Sequence, residues 1–514
     1  MKSEANAIRT RRRGLSALAR STSGNAMFIV AAAMIPLMGI IGGAVDFSRA
    51  YLVKQRLQQA CDAGALAGRR SMVGKTITAT DKSEALRFFF FNFPNGTMDT
   101  ATMDTVNANA ANRVTIALTS EDQFGMQAAT LVPTTLLRII NIPNIPVAVN
   151  CVGEEFYVNT DIMLVLDTTG SMNCDLGADD SCAASAESSN SKSKMHNMRT
   201  AIKNLFDDLV PARDALKLKE LRMRIGFVQY SQNVNVGKIL YNIDTNYIRN
   251  PYTYYNSKGS LKKSSTDHSE YWFKNTWNGC IEERETVSTI TKNSQSIPSG
   301  AFDLDMETMP TSDATRWGPS DPSAEESEGS SSTANACPRP AVALQEWPDT
   351  KAFKDHVDTI KTGIGRTHHD SGIIWGTRMI APVGIFKDTN PTIYNLVKVS
   401  KTIVFMTDGQ IDIAPDYYTA YGVPATAGRT ATKSTSEKDL EAIHERRFSL
   451  MCARAKDMGI DIWVVAILKD SNLSSAMQGC ASDTSQAIKV GNAQQLSDAF
   501  KRISDKVGNL RIGS

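Results

Sequence analysis

Asp167, Thr169 and Ser171 stand at alternate positions in the run Ile162-Met-Leu-Val-Leu-Asp-Thr-Thr-Gly-Ser-Met172. One carboxylate and two hydroxyls so spaced are hard oxygen donors of the kind a small divalent cation prefers. A second carboxylate, Asp408, follows the apolar run Lys401-Thr-Ile-Val-Phe-Met-Thr407, and Thr367 in Gly365-Arg366-Thr367 offers a third hydroxyl. The chemistry implied is cation binding. Hydrolysis would further require a base to activate water, and His368, His369 and Asp370 directly follow Thr367. Adjacent residues on an emerging helix point in different directions. They are therefore expected to form a polar helix start, with Asp370 or Ser371 near its N-cap, and not a shared catalytic face. The chain has no G-x-S-x-G, H-E-x-x-H or G-x-x-x-x-G-K-[ST] motif. It reads as a binding protein and not an enzyme.

The elements that must position these groups are legible as alternating patterns. A strand buried on both faces of a parallel sheet reads as a continuous hydrophobic run, and the carboxyl ends of such strands are where open α/β sheets place ligands. From Asn159 the chain predicts strands over Ile162–Leu166, Met223–Tyr230, Thr402–Thr407 and Asp461–Leu468. Helices are expected near Lys194–Val210, then over Ser371–Ala381, Glu437–Met458 (with Gly459 closing its end) and Ala493–Val507. This alternation implies an α/β fold with a doubly wound, mostly parallel, Rossmann-like sheet over residues 159–514.

About residues 231–349 interrupt that pattern with a Tyr-, Ser-, Asn- and Pro-rich insertion, expected to be ordered except for a Ser/Glu tip at Ala324–Ala334. Two smaller insertions, Asn173–Ser193 and Asp412–Ser434, follow the two Asp-bearing strands and are expected to rim the cation. Asp175, Asp179 and Asp180 in the first of them lack EF-hand spacing and read as a solvated acidic loop.

The N-terminus carries a different signal. Lys2, Arg9, Arg11, Arg12, Arg13 and Arg20 face a single acid, Glu4, over residues 1–24. Ala26–Val45 then runs without charge, close to the ~20 residues that cross a bilayer. The basic flank predicts a cytoplasmic N-terminus, a retained single-pass anchor and export of everything beyond it. Pro36 is tolerable in a membrane helix, and Gly39 and Gly43 form a small-xxx-small pair suited to close helix packing. Helical periodicity continues through Ala67, so residues 25–70 are read as one helix, half in lipid and half out. Residues 71–158 then read as a small, pilin-like α+β membrane-proximal domain, with strands at Arg113–Thr119 and Ile145–Asn150 and a helix over Val132–Ile140.

Two resemblances attach to these residues. The strand-borne Asp167-x-Thr169-x-Ser171, Thr367 and the Thr407-Asp408-Gly409 strand end resemble the metal-ion-dependent adhesion site of von Willebrand factor type A (vWA) domains. This implies Mg²⁺, or alternatively Mn²⁺ or Ca²⁺, bound by Thr169, Ser171 and Thr367, with Asp167 and Asp408 bound directly or through water. A dication held largely by neutral hydroxyls keeps charge to accept a carboxylate from a protein partner. The N-terminal combination of Gly24-Asn25, the apolar run, Ala44-Val45-Asp46-Phe-Ser-Arg-Ala-Tyr51 and Leu57-Gln-Gln-Ala-Cys-Asp-Ala-Gly-Ala-Leu-Ala67 resembles TadG-type proteins of Tad (Flp) pili. Trp277-Asn-Gly-Cys280, Ala336-Cys337-Pro338, Ser371-Gly-Ile-Ile-Trp-Gly376 and Cys452-Ala-Arg-Ala-Lys-Asp-Met-Gly-Ile460 extend that resemblance. Related pseudopilins are cut after a Gly and carry Glu five residues later, whereas here Ile29 occupies that place after Gly24.

The resemblance implies a bacterial inner-membrane protein of pilus assembly, with other Tad components and the membrane as partners. The competing readings are a structural minor pilin or tip subunit with a stabilising metal site, and a metal-dependent hydrolase. A balance of 56 basic against 54 acidic residues, with no basic stripe or zinc spacing, argues against nucleic acid. Eight cysteines in an exported chain suggest disulfides. Proximity along the chain pairs Cys174 with Cys182, Cys280 with Cys337 and Cys452 with Cys480, leaving Cys61 and Cys151 to pair if the stalk folds back.

Overall fold

The structure, a computed structural model, describes residues 22–72, 76–120, 123–154, 157–177, 192–255, 261–263, 267–320, 337–361, 365–469 and 471–508. The basic segment, Asp179, Asp180, Cys182 and the Ser/Glu tip of the insertion lie outside them. The chain divides into two compact units, residues 1–156 with 511–514, and residues 157–510.

In the first unit, α1 (Thr22–Ser71) is a continuous 50-residue helix that carries Pro36 in its interior, about 75 Å long at 1.5 Å per residue. Its surface changes character along its length. Met27, Ile29, Val30, Met34, Leu37, Ile40, Ile41 and Val45 are all exposed. From Ala50 onward, Val53, Leu57, Ala60, Cys61 and Ala65 are buried at spacings of three and four, the stripe of an amphipathic helix packed on a core. That stripe meets α2 (Ala79–Asn92) and an antiparallel sheet of β1 (Arg113–Ser120), β2 (Gln123–Pro133) and β3 (Asn144–Glu154) in the order β1-β2-β3. Cys61 and Cys151 are disulfide-bonded, joining α1 to β3. Gly153 permits this approach, because a Cβ there would lie 2.3 Å from the Ala65 carbonyl oxygen.

At the junction of the two halves of α1, Asp46 is buried and accepts three backbone N–H bonds, from Thr135 (2.9 Å), Leu136 (2.9 Å) and Leu137 (2.7 Å). This pins the β2–β3 loop to the helix and corrects one expectation. Val132–Ile140 is not a helix: β2 runs through Pro133, and only Leu137–Ile140 turns, as a single 3₁₀ segment. As the central strand β2 is buried almost throughout, so its pattern shows no alternation. Gly43 lies 3.8 Å from Leu137 by its notional Cβ, so the chain's own loop covers it, whereas Gly39 has open space around it. The tight approach is at Gly42, where a Cβ would come within 2.5 Å of Leu136.

The second unit holds β4 (Asn159–Asp167), α3 (Lys194–Leu218), β5 (Met223–Tyr230), β6 (Val342–Gln345), α4 (Thr350–Thr359), α5 (His369–Ile380), β7 (Val397–Thr407), α6 (Glu437–Asp457), β8 (Asp461–Ile467), α7 (Ser475–Cys480), β9 (Ala487–Val490) and α8 (Ala493–Gly508). The strands order β6-β5-β4-β7-β8-β9, with the two-residue Ile393–Tyr394 paired on β7. Pairs β5/β4, β4/β7, β7/β8 and β8/β9 are parallel, and β6 and Ile393–Tyr394 are antiparallel additions. Ile162, Leu164 and Leu166 face a core made with α3, α4 and α8. Met163 and Val165 face the opposite core, made with α5 and α6. The connection after β4 leads to β5 on one side, while β7, β8 and β9 succeed one another on the other side. The strand order therefore reverses between β4 and β7, the crevice where such sheets bind ligands.

The insertion is part of the α5–α6 core. Phe273, Trp277, Ile281, Leu304 and Trp317 are buried there, and Cys280 is bonded to Cys337. Cys452 of α6 is bonded to Cys480 of α7. Gly459, at φ +74°, lets the chain leave α6 in the left-handed conformation that a side chain resists. Cys174 is also disulfide-bonded.

Removing the Asp46 carboxylate leaves three amides without their acceptor. Since an orphaned buried donor costs about 1–3 kcal/mol, Asp46→Ala is expected to destabilise the first unit by about 3 kcal/mol. Hydrogen exchange should show amides 135–137 losing protection first; unchanged protection there would refute the capping role.

Candidate metal centre

Both Asp-bearing strand ends arrive at the reversal crevice because β4 and β7 are neighbours in parallel register, with Leu166 opposite Met406. Asp167 is the last residue of β4, and the chain then turns into a short 3₁₀ segment, Gly170–Asn173. Asp167 Oδ1 accepts from the Thr169 amide (3.0 Å) and the Thr169 hydroxyl (2.7 Å). Its Oδ2 accepts from the Thr407 hydroxyl at 2.9 Å. Ser171 Oγ donates to Asp408 Oδ1 at 2.8 Å and lies 3.0 Å from Thr169 Oγ1. Four of the five residues singled out in the sequence thus form one hydrogen-bonded set. Thr367 is buried just ahead of α5, its carbonyl accepting from the Asp412 amide at 3.0 Å. Among the described residues no hydrogen bond joins its side chain to the other four.

The donor set suits a small divalent cation on two counts. Thr169 and Ser171 each have one hydroxyl proton, and both protons are committed to carboxylates. The two oxygens, 3.0 Å apart, then face each other with lone pairs and no proton between them. Charge makes the second argument. Asp167 and Asp408 are both fully buried, and burial, followed by the charge of Asp408, pushes the Asp167 carboxyl up to about 7. Among the described residues, Lys194 Nζ is the ammonium that meets these carboxylates, buried and 3.1 Å from Asp408 Oδ2. Two acids face this one base among the described residues.

Lys194 is the site residue that the motifs did not reveal, and the links of Thr407 and His369 to Asp167 were not legible in them. Lys194 opens α3 directly after its N-cap, Ser193. A cation there opposes the helix dipole, and that misplacement was the available signal of a buried acidic partner. Thr407 carries the hydrogen bond between Asp167 and His369, whose Nε2 lies 2.9 Å from Thr407 Oγ1. With the Thr407 proton given to Asp167, the imidazole is the donor, and burial drives His369 down to about 4, so it is neutral.

A helix does start at the expected polar residues, but its first turn is buried. His368 is the N-cap residue, and His368, His369 and Asp370 are all buried. Their side chains diverge: His369 turns to Thr407, while Asp370 meets His444 of α6, with Oδ2 2.7 Å from Nδ1. The helix is sunk in the core because Ile373, Ile374 and Trp375 behind it are packed under the sheet. Of the two insertions expected around the cation, residues 412–434 begin against Thr367. The other ends at Ser193, beside Lys194.

Residues 24–74 match the model of the putative Flp pilus-assembly TadE/G-like family. No curated protein matches the chain. Similar solved structures include the PilB minor pilin from Streptococcus sanguinis, at 12% identity over 77% of this chain and 78% of that one, with a TM-score of 0.35. The vWF domain of the type V pili tip protein Mfa5 from Porphyromonas gingivalis is similar at 10% identity, over 70% of this chain and 98% of that one, with a TM-score of 0.32. The pilus adhesin SpaC from Lactobacillus rhamnosus GG matches at 11% identity over 80% of this chain, with a TM-score of 0.33, and the chain covers 36% of SpaC.

Because the folded chain holds the Asp167 proton more tightly than the unfolded chain does, the stability this group contributes is present below about pH 4 and is lost as pH rises through about 7. Chelator-treated protein is therefore expected to melt at a lower temperature near pH ~8 than near pH ~5, and Asp167→Asn to flatten that slope. A wild-type slope that survives in Asp167→Asn would assign the titration elsewhere.

Proposed function

We propose that this chain is a membrane-anchored, extracytoplasmic protein of Tad (Flp) pilus assembly, whose second unit is a vWA domain binding protein partners through a metal-ion-dependent adhesion site. The observation that carries this reading is the joining of Asp167, Thr169, Ser171 and Asp408 at the ends of adjacent β4 and β7. In this reading Thr169, Ser171 and Thr367 hold Mg²⁺ with their hydroxyls, and Asp167 and Asp408 hold it directly or through water. Mg²⁺ supplies an electrophilic position for a partner's carboxylate. Lys194 offsets Asp408, so a dication there retains positive charge for that contact. His369 and Thr407 orient Asp167, and residues 412–434 contribute partner choice from the rim.

The family match over α1 supports the pilus context. The exposed apolar stretch of α1, preceded by basic residues, supports insertion in the bacterial inner membrane with the N-terminus cytoplasmic. Bonded cysteines suit an oxidising compartment. We read the chain as a binding protein and not a hydrolase, since His369, the histidine joined to this set, is engaged by Thr407. A second reading, a minor pilin or tip subunit with a stabilising metal, draws on Phe47, Tyr51 and Leu52. These lie exposed on α1 beyond the apolar run, available for packing against neighbouring helices.

Titration of the detergent-solubilised full chain with Mg²⁺ tests the site. Saturable binding is expected in wild type, weakened at least about tenfold (~1.4 kcal/mol) in Asp167→Ala. Chelator-sensitive capture of another pilus component should be lost in the same variant. Mg²⁺ binding without any chelator-sensitive partner would favour the structural subunit.

A further inference from the structure

We propose that His368, Asp370 and His444 form a second, fully buried cation site suited to Zn²⁺, sharing no residue with the Asp167–Asp408 set. One donor atom from each of the three residues lies within 4.8 Å of the others. They come from two helices: His368 caps α5 and Asp370 stands in its first turn, while His444 projects from α6. All three are essentially inaccessible to solvent.

The hydrogen bonding of this cluster is incomplete. His444 uses Nδ1 toward Asp370 Oδ2 at 2.7 Å and Nε2 toward the Thr430 hydroxyl at 3.1 Å. His368 Nδ1 and Asp370 Oδ1 are buried with no hydrogen-bond partner among the described residues. An unsatisfied buried polar atom is expensive (about 1–3 kcal/mol each), and two in one cluster call for a shared ligand. Arg447 gives Nη2 to Asp303 and to the Thr286 hydroxyl, and no hydrogen bond joins it to Asp370 among the described residues.

Two imidazoles and one carboxylate are the donor chemistry of zinc, which takes four ligands from nitrogen, oxygen and sulfur. The hard-oxygen set at Asp167 and Asp408 favours a different ion. Thr430 bonds to the opposite ring nitrogen, Nε2, and so orients the His444 imidazole with Nδ1 toward Asp370. An ion here would tie the start of α5 to α6 and to the 412–434 segment. Thr367 is the residue immediately before His368, so the tie would also hold in place the loop that delivers its hydroxyl.

The test is zinc stoichiometry of the full chain in detergent, stripped with chelator and dialysed against Zn²⁺ with Mg²⁺ in excess. About one zinc per chain is expected in wild type and in Asp167→Ala, and loss of that zinc in His368→Gln and His444→Gln. Circular dichroism establishes that each variant is folded. If His444→Gln fails to fold, His368→Gln, altered at a cap outside the helix interior, decides alone. Reconstitution with Co²⁺ should add the visible absorption of a tetrahedral site, absent from the folded variant. Folded wild type that takes up no zinc, or folded His368→Gln that retains it all, overturns the proposal.

Discussion

Two carboxylates that burial would keep apart are held side by side at the ends of β4 and β7, and much of the second unit is organised around that contact. The parallel register of the two strands forces Asp167 and Asp408 into one crevice. Hydroxyls from Thr169, Ser171 and Thr407 and the ammonium of Lys194 reduce the repulsion without removing it. At the amino end of the same strands the balance is reversed. Asp161 on β4 is met by Arg224 of β5 at 2.8 and 2.7 Å and by Lys401 of β7 at 3.1 Å. There one buried acid faces two bases, so the central strands are stapled at that end.

Helices complete the arrangement. α3 delivers Lys194 against the preference of its own dipole, which is tolerable because Asp408 compensates it at close range. α5 delivers His369 to Thr407 and His368 and Asp370 to His444, so its first turn serves two polar clusters at once. The long insertion helps to bury this helix, with Trp317 and Trp375 packed at 5.4 Å between ring centres. In the first unit, Asp46 plays a comparable organising part. It stands where α1 passes from an exposed apolar surface to a packed amphipathic one, and it secures the loop at that level.

Several failures of sequence reading have identifiable causes. β2 has no alternating signature because both its faces are covered, and Val132–Ile140 carries helix formers whose amides are claimed by Asp46 from far along the chain. The first turn of α5 reads as a polar helix start because His, His and Asp are polar, and nothing local shows that it is buried. Only the packing of Trp375 and the approach of α6 sink it. Lys194 was visible as an oddity of placement, but its partner lies more than two hundred positions away.

By itself, the sequence determined the strands whose hydrophobic runs end in Asp167 and Asp408, the helical stripe of α1, the uncharged stretch before it, and the oxygen donors available for a cation. Each of these follows from local periodicity or from residue type, which neighbours along the chain suffice to express. Tertiary structure alone decided that β4 and β7 are adjacent, that Lys194 pairs with Asp408, that Cys61 reaches Cys151, and that His368, Asp370 and His444 meet in the interior. Those contacts join residues tens to hundreds of positions apart, and their energies depend on burial and orientation, which exist only once the sheet and its helices have assembled.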